Sequence, residues 1–138
     1  MGVVGVYLKI EDVLEAGRSF AKSIKKINAV LNDQSIENTL EELKLYVSAL
    51  SDLLNKRTGK FSVSVDEHGG VLVFHEYIPD ILLYYMPTHQ DEKISDLLDK
   101  LMEDEEFKKT LAERIMGAMA LLSMMLAESI RKAIDSSL

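Results

Sequence analysis

Three histidines are the residues whose side chains are best suited to bind a metal or to transfer a proton. His68 lies in the segment "DEHGG", His75 follows the apolar run "VLVF", and His89 lies in "PTHQ". A protein metal site needs three or four converging ligands, and these positions lack the spacing typical of such a site. We therefore predict no metal ligand and no cofactor, and we interpret the histidines as two loop residues and one half-buried strand residue. A small enzyme with a histidine-centred site is kept as a third hypothesis.

The densest acidic stretch has eight carboxylates between Asp91 and Glu106. A two-metal or glycosidase-like site requires carboxylates that face one another across a pocket. Helical spacing scatters these eight over an outer surface, which indicates solvated side chains and helix caps. The chain has no cysteine, and it contains no Gly-rich phosphate loop, nucleophile elbow or HExxH motif. We therefore predict no catalytic residue and a protein that is not an enzyme.

Basic residues are concentrated in the first part of the chain. Residues 1–60 hold nine Lys and Arg against eight Asp and Glu, whereas residues 61–138 hold seven against fifteen. The acidic total of −7 argues against broad, non-specific binding of nucleic acid, but a local basic surface is suited to grip a phosphate backbone. The candidate contacts are a stripe on the first helix and a cluster after the second: Arg18, Lys22, Lys25, Lys26, Lys56, Arg57 and Lys60. The alternative is a plain solvated face, because acids open the first helix and bases close it, as the helix dipole favours.

The elements that must position these residues are mostly helical. Apolar residues recur every three to four positions over about 10–32 and 35–57, which predicts two amphipathic helices. Ser35 is the predicted N-cap of the second helix, and Gly59 is predicted to adopt the left-handed conformation after its end. The period then changes to two in "KFSVSV", and the apolar runs "VLVFHEYI" and "ILLYYM" follow. These runs predict three antiparallel strands over about 60–87.

Helices are predicted again over about 91–102 and 105–135. Thr88 and Asp91 resemble a capping box, and Asp104 is the predicted N-cap of the last helix. The 138 residues are enough for one domain with its own core. The predicted architecture is therefore a single α+β domain, 1–138, that is mostly helical. In it a small three-stranded antiparallel sheet is inserted between the halves of a helical bundle.

The last predicted helix contains "RIMGAMALLSMMLAESI", in which the thirteen residues between Arg114 and Glu128 are uncharged. An inner apolar stripe from Phe107 to Ala133 is expected, yet the opposite face is apolar in its middle as well. Three long helices are too few to cover such a helix completely, so we predict that a partner covers it. The predicted association interface consists of Gly117, Ala120, Leu121 and Met124. The alternative is a helix buried at the centre of a monomer.

The expected location of the protein is the cytoplasm. The N-terminal segment lacks the basic region and the long apolar run of a signal peptide. The uncharged stretch 115–127 is shorter than the about 20 apolar residues that cross a bilayer. We therefore expect no contact with a membrane.

The order of elements resembles a known family. A helical segment, "SIENTLEELKLYVSALSDLLNKRTG", runs into the β insertion "KFSVSVDEHGGVLVFHEYIP", and the chain then returns to a helix rich in Ala, Leu and Met. This layout is similar to the small subunit of archaeal type I-A CRISPR effector (Cascade) complexes, over most of the chain but without a specific motif. The resemblance implies a helical protein with a small β region that stacks along a complex, helps to hold nucleic acid and has no catalytic residues. It also implies that the basic residues of the first two helices contact the backbone, although the acidic second half departs from that expectation.

The predicted function is that of a non-catalytic small structural subunit in a multi-protein, nucleoprotein assembly. The expected partners are a second copy of the chain or other protein subunits, together with the backbone of RNA or single-stranded DNA. The alternative is a homodimeric adaptor or an acidic chaperone-like protein that binds peptide segments.

Overall fold

The computed structural model of the chain describes residues 9–57, 59–65, 67, 70–76, 82–84 and 94–138. Four helices are described: α1 (Ile10–Leu31), α2 (Gln34–Leu54), α3 (Ile94–Glu103) and α4 (Glu105–Ser137). Strands β1 (Phe61–Val65), β2 (Val71–His75) and the short β3 (Leu82–Tyr84) lie between α2 and α3. The prediction of a mostly helical α+β protein with a small antiparallel sheet between helical halves is confirmed.

The sheet is built around the β1–β2 pair. These strands are antiparallel over five residue pairs, from Phe61 opposite His75 to Val65 opposite Val71. The three residues of β3 pair antiparallel with the other edge of β2, so only part of the predicted third strand "ILLYYM" is described. The period of two in β1 has the expected result, because Phe61 and Val63 are buried whereas Ser62 and Ser64 are exposed. One face of the sheet therefore joins the core.

The core lies where α1, α2 and α4 meet. Large side chains from all three helices are fully or almost fully buried there; among them are Ile24, Ile36, Leu40, Leu43, Leu50, Phe107, Leu111, Ile115 and Leu122. The closest approach is at Gly17 of α1, where a Cβ atom would come within 2.9 Å of Ile115 Cγ2 and 3.0 Å of Val47 Cγ2. Glycine at this position therefore lets the three helices cross at short distance.

The turn between α1 and α2 is held by a buried asparagine. Asn28 is 6% exposed; its Nδ2 donates to the Asp33 carbonyl at 3.1 Å, and its Oδ1 accepts from the Asp33 N–H at 3.0 Å. The predicted apolar stripe of α1 continued through Ile27, but Ile27 is 38% exposed. The chain reverses direction at Asn32, which has φ 53°, so Asn28 faces the turn and takes the inner position.

Two predicted helix ends are wrong. The N-cap of α2 is Asp33, whose side chain accepts from the Ser35 N–H at 2.9 Å, so Ser35 is inside the helix. The helix ends at Leu54, three residues before the predicted end, and the left-handed conformation falls on Lys56 (φ 54°) rather than on Gly59. Asn55 explains the early end, because its side chain and its backbone N–H both bond the Ser51 carbonyl.

The predicted cap of α4 is confirmed. Asp104 accepts from the N–H groups of Glu106 and Phe107 at 2.9 and 3.1 Å, which satisfies two donors in the first turn. The predicted capping box at Thr88 and Asp91, together with His68 and His89, lies outside the described residues.

The inner stripe of α4 is buried or half-buried as far as Leu126. Further along the predicted stripe, Ile130 is 39% exposed and Ala133 is exposed. The end of α4 therefore extends past the core, and the prediction of inner positions there is wrong.

Candidate anion-binding groove

A groove of about 410 Å³ opens between α1 and α2 beside the turn that leads to β1. One wall is α1, the other wall and the floor are α2, and the turn after α2 closes one end. Its lining contains five basic residues and a single acidic one, besides two serines, an alanine and a valine: Arg18, Ala21, Lys22, Lys44, Val47, Ser48, Ser51, Asp52, Arg57 and Lys60. The groove is therefore strongly electropositive, although the chain as a whole is acidic.

The α1 wall is fixed to α2 by a hydrogen bond across the groove. Arg18 Nη2 donates to Ser51 Oγ at 2.9 Å, and Arg18 Nη1 lies 3.5 Å from a carboxylate oxygen of Glu15. The guanidinium has five donors in a planar fork, so these two contacts leave donors that point toward the groove or solvent. Lys22 is one helical turn further along α1 and is also exposed.

The opposite wall contributes a lysine that the sequence analysis missed. Lys44 of α2 lines the groove, and its Nζ lies 3.2 Å from Glu41 Oε1, with both side chains well exposed. An exposed ion pair of this kind contributes at most about 1 kcal/mol, so it restrains the ammonium group only weakly. Lys44 could not be grouped with Arg18 and Lys22 from the sequence, because that requires knowing which faces of α1 and α2 lie side by side.

The end of the groove is formed by the turn between α2 and β1. The Arg57 N–H donates to the Asp52 carbonyl at 2.7 Å, and the Lys60 carbonyl accepts from the Glu76 N–H at 2.8 Å. The first bond ties this turn to the last turn of α2, and the second ties it to the residue that follows β2. Arg57 and Lys60 therefore start from backbone positions that are fixed by two elements.

A buried carboxylate–imidazole pair supports the floor. His75 Nε2 lies 2.9 Å from Asp52 Oδ2, and the two side chains are 0% and 8% exposed. The Phe61 ring packs edge-to-face on the imidazole with ring centres 4.8 Å apart. His75 was predicted to be half-buried, and the structure corrects this: the ring is sealed behind Asp52 and Phe61, whereas Asp52 reaches the groove. Such a pair fixes β2 to α2, and the sealed ring has no open side for a substrate.

The structure separates the seven predicted basic contacts into two groups. Four of them line the groove: Arg18, Lys22, Arg57 and Lys60. Lys25 instead lines a separate hollow at the α1–α2 turn, and Lys26 and Lys56 are exposed outside the groove lining. The stripe on α1 is thus divided between the two ends of the helix.

Within the ranges that the structure describes, His, Asp and Glu form no group of three that could hold a metal ion. The Asp52–His75 contact joins only two such side chains. The basic residues and the hydroxyl groups of the serines are donors, and donors of this kind bind oxyanions. The arrangement can therefore hold phosphate or carboxylate groups by charge and hydrogen bonds.

The outer face of α4 is exposed at all four residues of the predicted association interface. Gly117 and Ala120 are exposed, and Leu121 and Met124 are 48% and 71% exposed. No other part of the chain covers these four positions. The alternative in which α4 is buried all round within one chain is therefore wrong.

By length and composition alone, α4 is long and apolar enough to cross a membrane. An 18-residue window of the helix has a mean hydropathy of at least 1.2, reported as 1.4, and 22% of it is buried. The length argument made from residues 115–127 considered a shorter stretch, so length by itself does not exclude a membrane. The low burial distinguishes α4 from an ordinary core helix.

No protein-family model, curated protein or solved structure gives a significant match to this chain.

Proposed function

We propose that the protein is a non-catalytic subunit that binds the phosphate backbone of a single-stranded nucleic acid in the groove between α1 and α2. The observation that carries this proposal is the convergence of five basic residues from α1, α2 and the following turn on one groove. Phosphate contacts of this kind bind without reading sequence, and their strength falls as salt rises.

The groove suits a backbone better than an isolated small anion. Its basic residues lie along both walls and at one end, so several phosphates in a row meet a positive charge. The described residues that line it include no aromatic side chain on which a base would stack. Recognition would thus rest on the sugar–phosphate chain.

The most concrete form of the proposal is a small subunit in a nucleoprotein assembly similar to an archaeal CRISPR effector complex. Its support is the order of elements together with the basic groove. In such an assembly α4 would contact protein and the groove would contact RNA or single-stranded DNA.

A second candidate is a homodimeric adaptor or acidic chaperone-like protein that binds peptide segments. The exposed apolar face of α4, with Met124 71% exposed, favours it. A dimer without affinity for nucleic acid would support this second function and contradict the first.

The test is the binding of a fluorescent 20-nucleotide poly(U) strand by anisotropy at several salt concentrations. Lys22→Glu combined with Lys44→Glu reverses two charges on opposite walls, and we expect at least about tenfold weaker binding. The salt dependence should also lose about two phosphate contacts from its slope.

The matched control is Lys25→Glu combined with Lys26→Glu. It makes the same change in net charge on α1 but lies outside the groove, so we expect less than about threefold weakening from long-range electrostatics. Equal losses for the two pairs would contradict a localised site. Failure of the unaltered chain to bind the strand at low salt would contradict the proposed function itself.

Asp52→Asn adds a gain-of-binding arm to the experiment. The amide retains a hydrogen-bonding group toward His75 but removes the one acidic charge in the groove lining. Binding of the strand should become about two- to fivefold tighter, provided that the circular dichroism spectrum is unchanged.

A further inference from the structure

Six exposed residues of α4 recur at alternating spacings of four and three: Glu113, Gly117, Ala120, Met124, Ala127 and Arg131. A repeat of this kind averages 3.5 residues, which is the period at which a helix presents one continuous seam to a partner helix. We call these six residues the outer seam. It lies on the side of α4 that faces away from α1 and α2, is small or apolar in its middle and is charged at both ends.

The charges of the outer seam are arranged symmetrically and with opposite sign. Glu113 lies nine residues before position 122 and Arg131 lies nine residues after it. Gly117 and Ala127 lie five residues on either side of the same position, and Ala120 and Met124 lie two. If two copies were antiparallel with their 122 positions level, each Glu113 would face Arg131 of the partner subunit. A parallel pair in register would instead bring like charges together.

The complementarity continues one turn beyond the outer seam. Lys109 and Asp135 lie thirteen residues before and after position 122, and both are exposed. An antiparallel pair would therefore have four complementary charge contacts along about 40 Å of helix, at 1.5 Å per residue. Contacts of this kind set orientation and register more than they set affinity.

The middle of the outer seam permits close approach of a second helix. A Cβ atom at Gly117 would have no atom of the chain within 4 Å, and Ala120 and Ala127 have small side chains. Met124 is the one large member, and its flexible side chain fills irregular gaps. Burial of this exposed apolar strip supplies the favourable free energy for pairing.

We propose that α4 pairs antiparallel with α4 of a second copy of the chain through the outer seam, with position 122 of both copies at the twofold axis. The charge pattern favours this occupant over a lipid bilayer, because Glu113 and Arg131 lie on the same strip as the apolar residues. The two anion grooves would lie on the outside of this dimer, on the far side of each α1–α2 pair. The pairing is independent of whether the grooves bind nucleic acid.

Disulfide cross-linking tests the orientation, because the chain has no cysteine of its own. Gly117→Cys and Ala127→Cys variants of the full chain, labelled with different tags, are mixed and oxidised mildly. We expect a covalent dimer with one chain of each kind. Gly117→Cys alone should cross-link poorly, since its two copies would lie about 15 Å apart along the axis and a disulfide needs Cα atoms within about 7 Å. Efficient cross-linking of Gly117→Cys with itself, or no cross-linked product in the mixture, would overturn the proposal.

Charge reversal tests the register by sedimentation equilibrium. The unaltered chain should reach twice its mass of 15.5 kDa as concentration rises. Glu113→Arg and Arg131→Glu should each weaken the dimer about tenfold, because two attractive contacts become repulsive. The double variant should restore the affinity to within about threefold.

Lys132→Glu is the matched control, because it changes the charge of α4 as Arg131→Glu does but lies about 100° around the helix. It should change the dimer affinity less than about twofold. A mass of one chain at every concentration, or single variants without effect, would overturn the proposal. Co-sedimentation of the unaltered chain with phosphatidylcholine vesicles, with loss of the dimer, would assign the outer seam to a membrane instead.

Discussion

Gly17 and Gly117 both lie inside helices, and their surroundings are opposite. A Cβ atom at Gly17 would come within 3.0 Å of side chains from both α2 and α4, whereas one at Gly117 would meet nothing within 4 Å. The first glycine belongs to the crossing of α1, α2 and α4, and the second belongs to the outer face of α4. The two faces of α4 are both apolar in sequence, so the difference between them comes from the number of helices that pack on one side.

The largest expected difference is between alanine substitutions on the two faces of α4. Ile115→Ala should lower the free energy of unfolding by about 2–5 kcal/mol, because it leaves a cavity at a position that is 0% exposed. Leu121→Ala should change it by less than about 0.5 kcal/mol, since Leu121 is 48% exposed. Urea unfolding at a concentration where the chain is monomeric measures both. Similar losses for the two variants would mean that the outer face is covered within one chain.

The two glycines sharpen the comparison, because the same substitution should have opposite signs. Gly17→Ala should cost about 1–2 kcal/mol, since the strain of the added methyl group against Ile115 and Val47 exceeds the gain in helix propensity. Gly117→Ala should stabilise the monomer by about 0.8 kcal/mol, because only the propensity changes. Thermal unfolding of both variants measures the signs. A gain at Gly17 would show that the crossing is looser than the distances indicate.

The smallest expected effect separates the two ends of α4. Asp104→Ala should lower the free energy of unfolding by about 1 kcal/mol, because two backbone N–H groups lose their acceptor. At the other end Ser137→Ala should have almost no effect, since the exposed last turn does not pack on the core. Chemical denaturation compares the two. A loss at Ser137 as large as at Asp104 would indicate that the end of α4 is held by contacts that a single chain does not contain.

Much of the fold could be predicted from patterns that extend over many residues. The periods of α1, α2 and α4 and the alternation in β1 specify the element types and most of the inner faces. Helix ends were less predictable, because they depend on single local bonds. Ser35 and Asp33 are both good capping residues, and only the observed hydrogen bond decides between them. The exposed face of α4 was predictable because four helices with one uncharged outer surface leave too little chain to cover it.

The groove could be predicted only in part. The basic residues of α1 and of the turn after α2 are visible as clusters in the sequence. Lys44 and Asp52 are isolated charges within an amphipathic helix, and nothing in their spacing connects them to the groove. The Asp52–His75 bond joins residues 23 positions apart, so it depends on how the sheet docks against α2. A buried histidine in a strand is a signal that a partner exists, but it does not say which acid that partner is.

Asp52 acts on the groove and on the sheet at the same time. Its carboxylate holds His75 of β2, its backbone carbonyl holds the Arg57 N–H, and its side chain faces the groove. The hairpin and the cationic end of the groove are thereby hinged on one residue and cannot move apart without breaking a buried bond. A strand of nucleic acid that draws Arg57 inward would pull on the same joint that anchors β2, so occupancy of the groove would be felt as stiffness in the hairpin.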